Sequence, residues 1–185
     1  MHSSSMTRMQ RFFEQFVDPA IEDILAPLTV CDVGSYDVNG CYKPIFTHPK
    51  IKYVGVDAQA GPNVDKVVDP DCLERWSELE PADVLISGQT LEHVDRPWMF
   101  IQRLNEIVKH DGMICLIVPS QGPYHAYPKD CWRILPQGLH ALARSVLWEV
   151  VFCDWNYQGL GEPIRDSGWG DVVGIFIKRA GGFHG

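Results

Sequence analysis

The sequence predicts an α/β protein: a doubly wound, mostly parallel seven-stranded sheet with helices on both faces and an antiparallel last strand. Three observations predict it. Short runs rich in Val and Ile recur along the chain without the alternation of a half-exposed strand, which is the pattern of strands covered on both sides. Helix-period segments separate several of these runs, as crossover connections require. The last two runs have no helical pattern between them, so they should pair antiparallel.

Taken in order, residues 1–27 form a helical segment. Met9, Phe12, Phe13, Phe16, Val17, Ile21, Ile24 and Leu25 recur at helical spacing, and Pro19 should end or split the run. MHSSS at residues 1–5 is set aside as a tag scar. Residues 28–185 form the main domain. Its strands are LTVCDVG (28–34), IKYVGVD (51–57), DKVVD (65–69), ADVLISG (82–88) and GMICLIVPS (112–120), then WEVVFCDW (148–155) and DVVGIFIKR (171–179). CLERWSEL is a short helix. DRPWMFIQRLNEIVKH is a longer one, with Asp95 as cap, Pro97 in the first turn and a stripe of Phe100, Ile101, Leu104, Ile107 and Val108. LPQGLHALARSVL is a helix with Pro136 at its start.

Composition narrows the function classes. Sixteen basic against twenty-four acidic residues give a net charge of -8, which opposes a phosphate-tracking surface and speaks against a nucleic-acid partner. No run of apolar residues is long enough for a transmembrane helix, and no signal-peptide core begins the chain, so a cytoplasmic protein with no membrane association is expected. The six cysteines form no C-x-x-C pair and read as buried free thiols. The seven histidines are scattered without an H-x-x-x-H pair, so no metal site is expected.

Ligands on such sheets bind beyond the carboxyl ends of the strands. Gly34 ends the first strand, where a missing side chain lets the backbone turn sharply. Asp57 ends the second, about twenty positions on, where a carboxylate can accept from both hydroxyls of a ribose. A dinucleotide pyrophosphate would need bare backbone amides, yet Tyr36 stands at the second glycine position with Asp37 beside it. An acidic loop of this kind suits S-adenosylmethionine, which has no phosphate and carries a cationic sulfonium.

With those residues in view, the chain resembles the class I S-adenosylmethionine-dependent methyltransferases, in their small single-domain, type 11-like form. The likeness runs from about residue 28 to 178: VCDVGSYDVNG is similar to the first motif of that family and YVGVDAQAGPNVD to its second, while ADVLISGQTLEHV and IVKHDGMICLIVPS resemble the segments around its fourth and fifth strands. Tyr36 and Val38 stand where the family often has glycines. The resemblance implies a Rossmann-like fold, S-adenosyl-L-methionine as cofactor, and the following cofactor contacts. Gly34, Ser35 and Tyr36 line the methionine portion through backbone contacts, Asp57 holds the ribose, and Ala58 lies by the adenine. Asp69 resembles the acid near the adenine amino group, with Asp71 as competitor, and Gly88 and Gln89 face the methionine side. Helix capping is the alternative for Gln89 and Thr90, and a solvated loop for the two aspartates.

The methyl acceptor is expected to be a small molecule or a sugar-containing one, methylated at oxygen. Candidates for its chemistry lie in PSQGPYHAYPKDCWRILPQGL, after the fifth strand. His125 is the first choice for a base because an imidazole titrates near neutrality, and Asp130 is placed to orient it or to serve instead. His93 is a second candidate. The structural alternative is that Trp132 packs the loop while Asp130 and Arg133 form a local ion pair. The loop over Tyr157–Gly170, with Arg165, Asp166 and Trp169, either covers the acceptor or is a surface connection. Two other readings remain: a catalytically silent partner protein that retains the fold, and a nicotinamide-dependent oxidoreductase. The oligomeric state is open.

Overall fold

A seven-stranded sheet carries the molecule, in the order β3-β2-β1-β4-β5-β7-β6. The computed structural model describes residues 3–22, 24–69, 76–155 and 170–179. Its strands are β1 (Leu28–Val33), β2 (Ile51–Asp57), β3 (Lys66–Val67), β4 (Ala82–Gly88), β5 (Val108–Gln121), β6 (Trp148–Asp154) and β7 (Gly170–Lys178). β1 pairs in parallel with β2 and β4, and β4 with β5; β7 runs antiparallel to both β5 and β6. All seven predicted strands are therefore present, and the last two pair as expected.

Alternate residues of each central strand feed two separate cores. Val30, Val84, Ile86, Cys115, Ile117, Val173 and Ile175 point to one face, where helix α1 (Ser3–Phe12) and α2 (Asp18–Glu22) bring Met9, Phe12 and Ile21. Cys31, Val33, Leu85, Ile114, Leu116 and Val118 point to the other, against α3 (Pro97–Ile107) and α4 (Pro136–Ser145) through Phe100, Leu104, Leu139 and Ala143. Burial on both faces is why the strands read as unbroken apolar runs.

Several expectations need correction. Pro19 neither ends nor breaks the first helix: a π-helical turn, Phe13–Val17, precedes it and joins α1 to α2. Widening the turn relieves the clash of the proline ring with the carbonyl one turn back. Ser3–Ser5, set aside as a tag scar, begin α1; Ser4 and Ser5 are buried, and Ser5 Oγ lies 2.6 Å from Tyr42 Oη. α3 stops at Ile107, because Val108 already pairs with Ala82 as the start of β5. Asp111, at φ +59°, then bends that strand just before Gly112. Asp95 does not cap α3; its carboxylate pairs with Lys129 Nζ at 2.7 Å, and Arg96 stands at the cap position, where its side chain makes no capping hydrogen bond. Of the predicted helix CLERWSEL, Trp76–Glu78 forms a single 3₁₀ turn, and residues 72–75 lie outside those described. The five described cysteines are free, but only Cys31 and Cys115 are buried; Cys131 is exposed. Among the described residues, no helix is long and apolar enough to cross a membrane.

Candidate functional site

A cleft of about 560 Å³ opens at the carboxyl ends of β1, β2 and β4. That size is ordinary for a small-molecule site. At its β1 end, Gly34 has φ +89°, and a Cβ there would fall 1.8 Å from Thr90 Oγ1. Both the backbone angle and the close approach demand glycine. Tyr36 follows. Its N–H donates to Asp57 Oδ2 at 3.0 Å, and its ring lies across Gly61, where a Cβ would come within 1.8 Å of Cε2. Asp57 Oδ1 accepts the N–H of Gln59 at 3.1 Å. A carboxylate offers about four acceptor positions, so two remain after these bonds.

Gly34, Tyr36, Asp57, Ala58, Asp69, Gly88 and Gln89 all line this cleft. Ser35 does not. It is buried, and its Oγ donates instead to the carbonyl of Asn63 at 3.0 Å, tying the loop to the chain after β2. Asp71 lies outside the described residues. Val68, Trp76, Val94 and Phe100 give the cleft an apolar wall that sequence reasoning did not assign to it. Gln89 takes φ +57° and donates from Nε2 to Asp171 Oδ1 at 3.1 Å, so it is not a helix cap; strain of this kind persists only where the surroundings over-determine it.

His125 and His93 line the same cleft. The loop after β5 is folded back on the turn Leu91–His93 by Cys131 N–H and Trp132 N–H, which both donate to the carbonyl of Glu92, and by Trp132 Nε1, which donates to the carbonyl of Val94 at 2.8 Å. Asp130 is outside the cleft lining. Its carboxylate takes a two-pronged contact from Arg133 at 2.6 and 2.8 Å and the His125 N–H at 2.8 Å. The Arg133 guanidinium holds its carboxyl well below the usual range. Asp130 is thus placed to position His125, not to take its place, and Trp132 packs the loop. His125 is raised above the ordinary imidazole pKa, chiefly by Glu92. Glu92 is the residue the sequence reading passed over: its side chain is fully buried, between Leu91 and Val94 in the motif that had drawn attention only to His93. The Tyr157–Gly170 loop lies outside the described residues except for Gly170.

Beneath the cleft, Asp32 on β1 is fully buried, and its Oδ1 has no hydrogen-bond partner among the described residues. Desolvation pushes its carboxyl up to about 7, although the Tyr53 hydroxyl donates to Oδ2. Between pH 4 and 7 the unfolded chain sheds this proton while the folded chain keeps it. Folding stability therefore falls as pH rises through that window, by at most about 1.4 kcal/mol per pH unit from this group. Asp32→Asn is expected to be more stable than the native chain at pH 8, with the advantage shrinking toward pH 5. Urea unfolding at the two pH values checks this, and an equal gain at both would refute it.

No family model and no curated protein matches the chain. Solved structures do. A carbon methyltransferase, CurJ, superposes with a TM-score of 0.70 at 12% identity, over 96% of this chain and 56% of that one. The N-terminal domain of EvdMO1, solved in the presence of SAH and D-fucose, gives 0.61 at 15% identity over 96% and 84%. SpnF, described as a [4+2]-cyclase, gives 0.60 at 13% identity over 91% and 82%. This chain therefore spans little more than half of the CurJ chain, and it has the Rossmann-like fold of the class I methyltransferases.

Proposed function

We propose that this chain is an S-adenosylmethionine-dependent methyltransferase acting on an oxygen of a small or sugar-containing acceptor. One observation carries the reading: a single cleft is lined by the glycine turn after β1, by a ribose-type acid, Asp57, at the end of β2, and by the imidazoles of His93 and His125. Bound there, the cofactor would supply a methyl group already activated on a sulfonium. The chain's residues fit it. Asp57 has acceptor capacity left for two hydroxyls, and Val68, Trp76 and Phe100 offer an apolar wall for a ring beside Asp69. Asp57 and Asp69 are carboxylates, and among the described lining residues Lys129 brings the one Lys or Arg side chain, a balance that suits a cation better than a pyrophosphate. For the acceptor, the chain contributes alignment and exclusion of water. Loss of the acceptor's proton is proposed to depend on His125, whose loop Asp130 and Arg133 hold in place. The free thiols among the described residues are in keeping with a reducing, cytoplasmic setting.

Calorimetry with S-adenosylmethionine and its demethylated product tests the cofactor half. Micromolar-range binding is expected, weakened at least about tenfold in Asp57→Ala. Equal affinity in the two proteins would remove Asp57 from the site, and no binding to the native chain would overturn the reading. A screen of acceptors with methyl-labelled cofactor separates an enzyme from a silent partner protein of the same fold.

A further inference from the structure

Glu92, His93 and His125 place one carboxylate oxygen and two imidazole nitrogens within 4.8 Å of one another. We infer that these three side chains form a binding site for a divalent transition-metal ion at the acceptor end of the cleft. The inference rests on the methyltransferase reading only for what the ion would do there.

The first support is electrostatic. Glu92 has no exposed side-chain surface, and among the described residues neither of its carboxylate oxygens has a hydrogen-bond partner. A buried carboxylate without donors is unfavourable unless a cation neutralises it. Among the described residues, His93 Nε2 lies 3.6 Å and His125 Nε2 3.8 Å from Oε1, both beyond hydrogen-bond reach.

The second support is the orientation of the rings. His93 Nδ1 lies 2.5 Å from the carbonyl oxygen of Lys129. His125 Nδ1 lies 3.3 Å from the carbonyl of Pro123 and 3.4 Å from Asp130 Oδ2. A ring nitrogen facing an acceptor carries the hydrogen, so in each neutral ring the lone pair sits on Nε2 and is turned toward Glu92. Metal-ligating histidines are held in this way by the groups behind them. Three electron-pair donors thus converge on one volume.

Bonds of about 2.0–2.2 Å would bring such ligand atoms to about 3.0–3.5 Å from one another. The two histidines start 3.6 and 3.8 Å from Glu92 Oε1, and all three ligand atoms start within 4.8 Å of one another, so the contraction needs side-chain rotations and no refolding of the backbone. Two imidazoles and one carboxylate favour manganese, iron, cobalt or zinc over magnesium or calcium, which take oxygen ligands. Three protein ligands leave coordination positions open, and because His93 and His125 line the cleft these would face it. An acceptor hydroxyl bound at one of them would lose its proton to water more readily, its oxygen keeping the electron pair. His125 would then serve as ligand, and the ion would promote the deprotonation.

Calorimetric titration of the chelator-treated full chain with Mn²⁺, without cofactor, tests the site. One ion per chain is expected, with affinity reduced in Glu92→Gln by at least the roughly 10- to 100-fold that loss of an outer-shell partner costs. His93→Ala and His125→Ala should weaken it likewise, and they decide the matter if Glu92→Gln does not fold by circular dichroism. The visible spectrum of the Co²⁺-loaded chain should change in both histidine variants. No saturable binding by the native chain, or equal binding by all three variants, would overturn the inference and leave the cluster as a protonated imidazole pair. Binding of S-adenosylmethionine is measured in parallel: if the native chain binds it but not Mn²⁺, this inference alone fails; if it binds Mn²⁺ but not the cofactor, the methyltransferase reading fails and the ion site stands.

Discussion

His125→Ala is expected to keep the affinity for S-adenosylmethionine and to lose turnover by roughly 100- to 10,000-fold, the range that removal of acid–base assistance spans. The two halves of that result have separate structural causes. The ring reaches the cleft from the loop after β5, a different segment from those that carry Asp57 and the Gly34 turn, so the proposed cofactor contacts are expected to stay intact. The loop itself is held by Asp130, Arg133 and backbone bonds to the Glu92 carbonyl, none of which needs the imidazole. The loss is expected whether the ring accepts the proton or holds an ion that promotes its release. The check is a steady-state rate with an acceptor found by screening, set beside calorimetry on the same preparation. Unchanged turnover would remove His125 from the chemistry. Loss of cofactor binding as well would mean that the substitution had collapsed the loop.

The second large effect concerns stability. Asp171 on β7 has no exposed side-chain surface, and its Oδ2 accepts from Arg8 Nη1 on α1 at 3.1 Å. Ser4 Oγ at 3.4 Å and Gln89 Nε2 at 3.1 Å donate to the same carboxylate. Arg8→Met is expected to lower stability by about 3–5 kcal/mol, because it strands a charge in the core. Changing both partners, Arg8→Met with Asp171→Asn, should recover much of that loss, since a buried pair contributes far less than its disruption costs. Urea unfolding of both single variants and of the double variant measures the coupling. A single-variant loss below about 1 kcal/mol would contradict the ion pair as drawn.

Most of the sheet was legible because its strands are buried on two faces, which leaves an unmistakable apolar imprint. The Gly34 turn and Asp57 were legible for a related reason, since both sit at strand ends that the fold class locates. What escaped notice depends on contacts between distant segments. Glu92 and His93 meet His125 only because the loop after β5 doubles back, and no spacing rule spans an intervening helix and strand. The resemblance spoke only for the backbone of Ser35, and nothing in the motif announced that its hydroxyl would tie the loop to Asn63. Pro19 looked like a terminator, since a proline signals a break and not the π turn that accommodates one.

The outermost strand at one side of the sheet, β6, shifts register against β7 between Val150 and Phe152, leaving Val151 without an opposite number and exposed. Such a bulge twists the rim and interrupts the row of amides and carbonyls that a neighbouring molecule would otherwise extend. Filament-like stacking along that border is thereby discouraged, which matters for a chain with so apolar an interior.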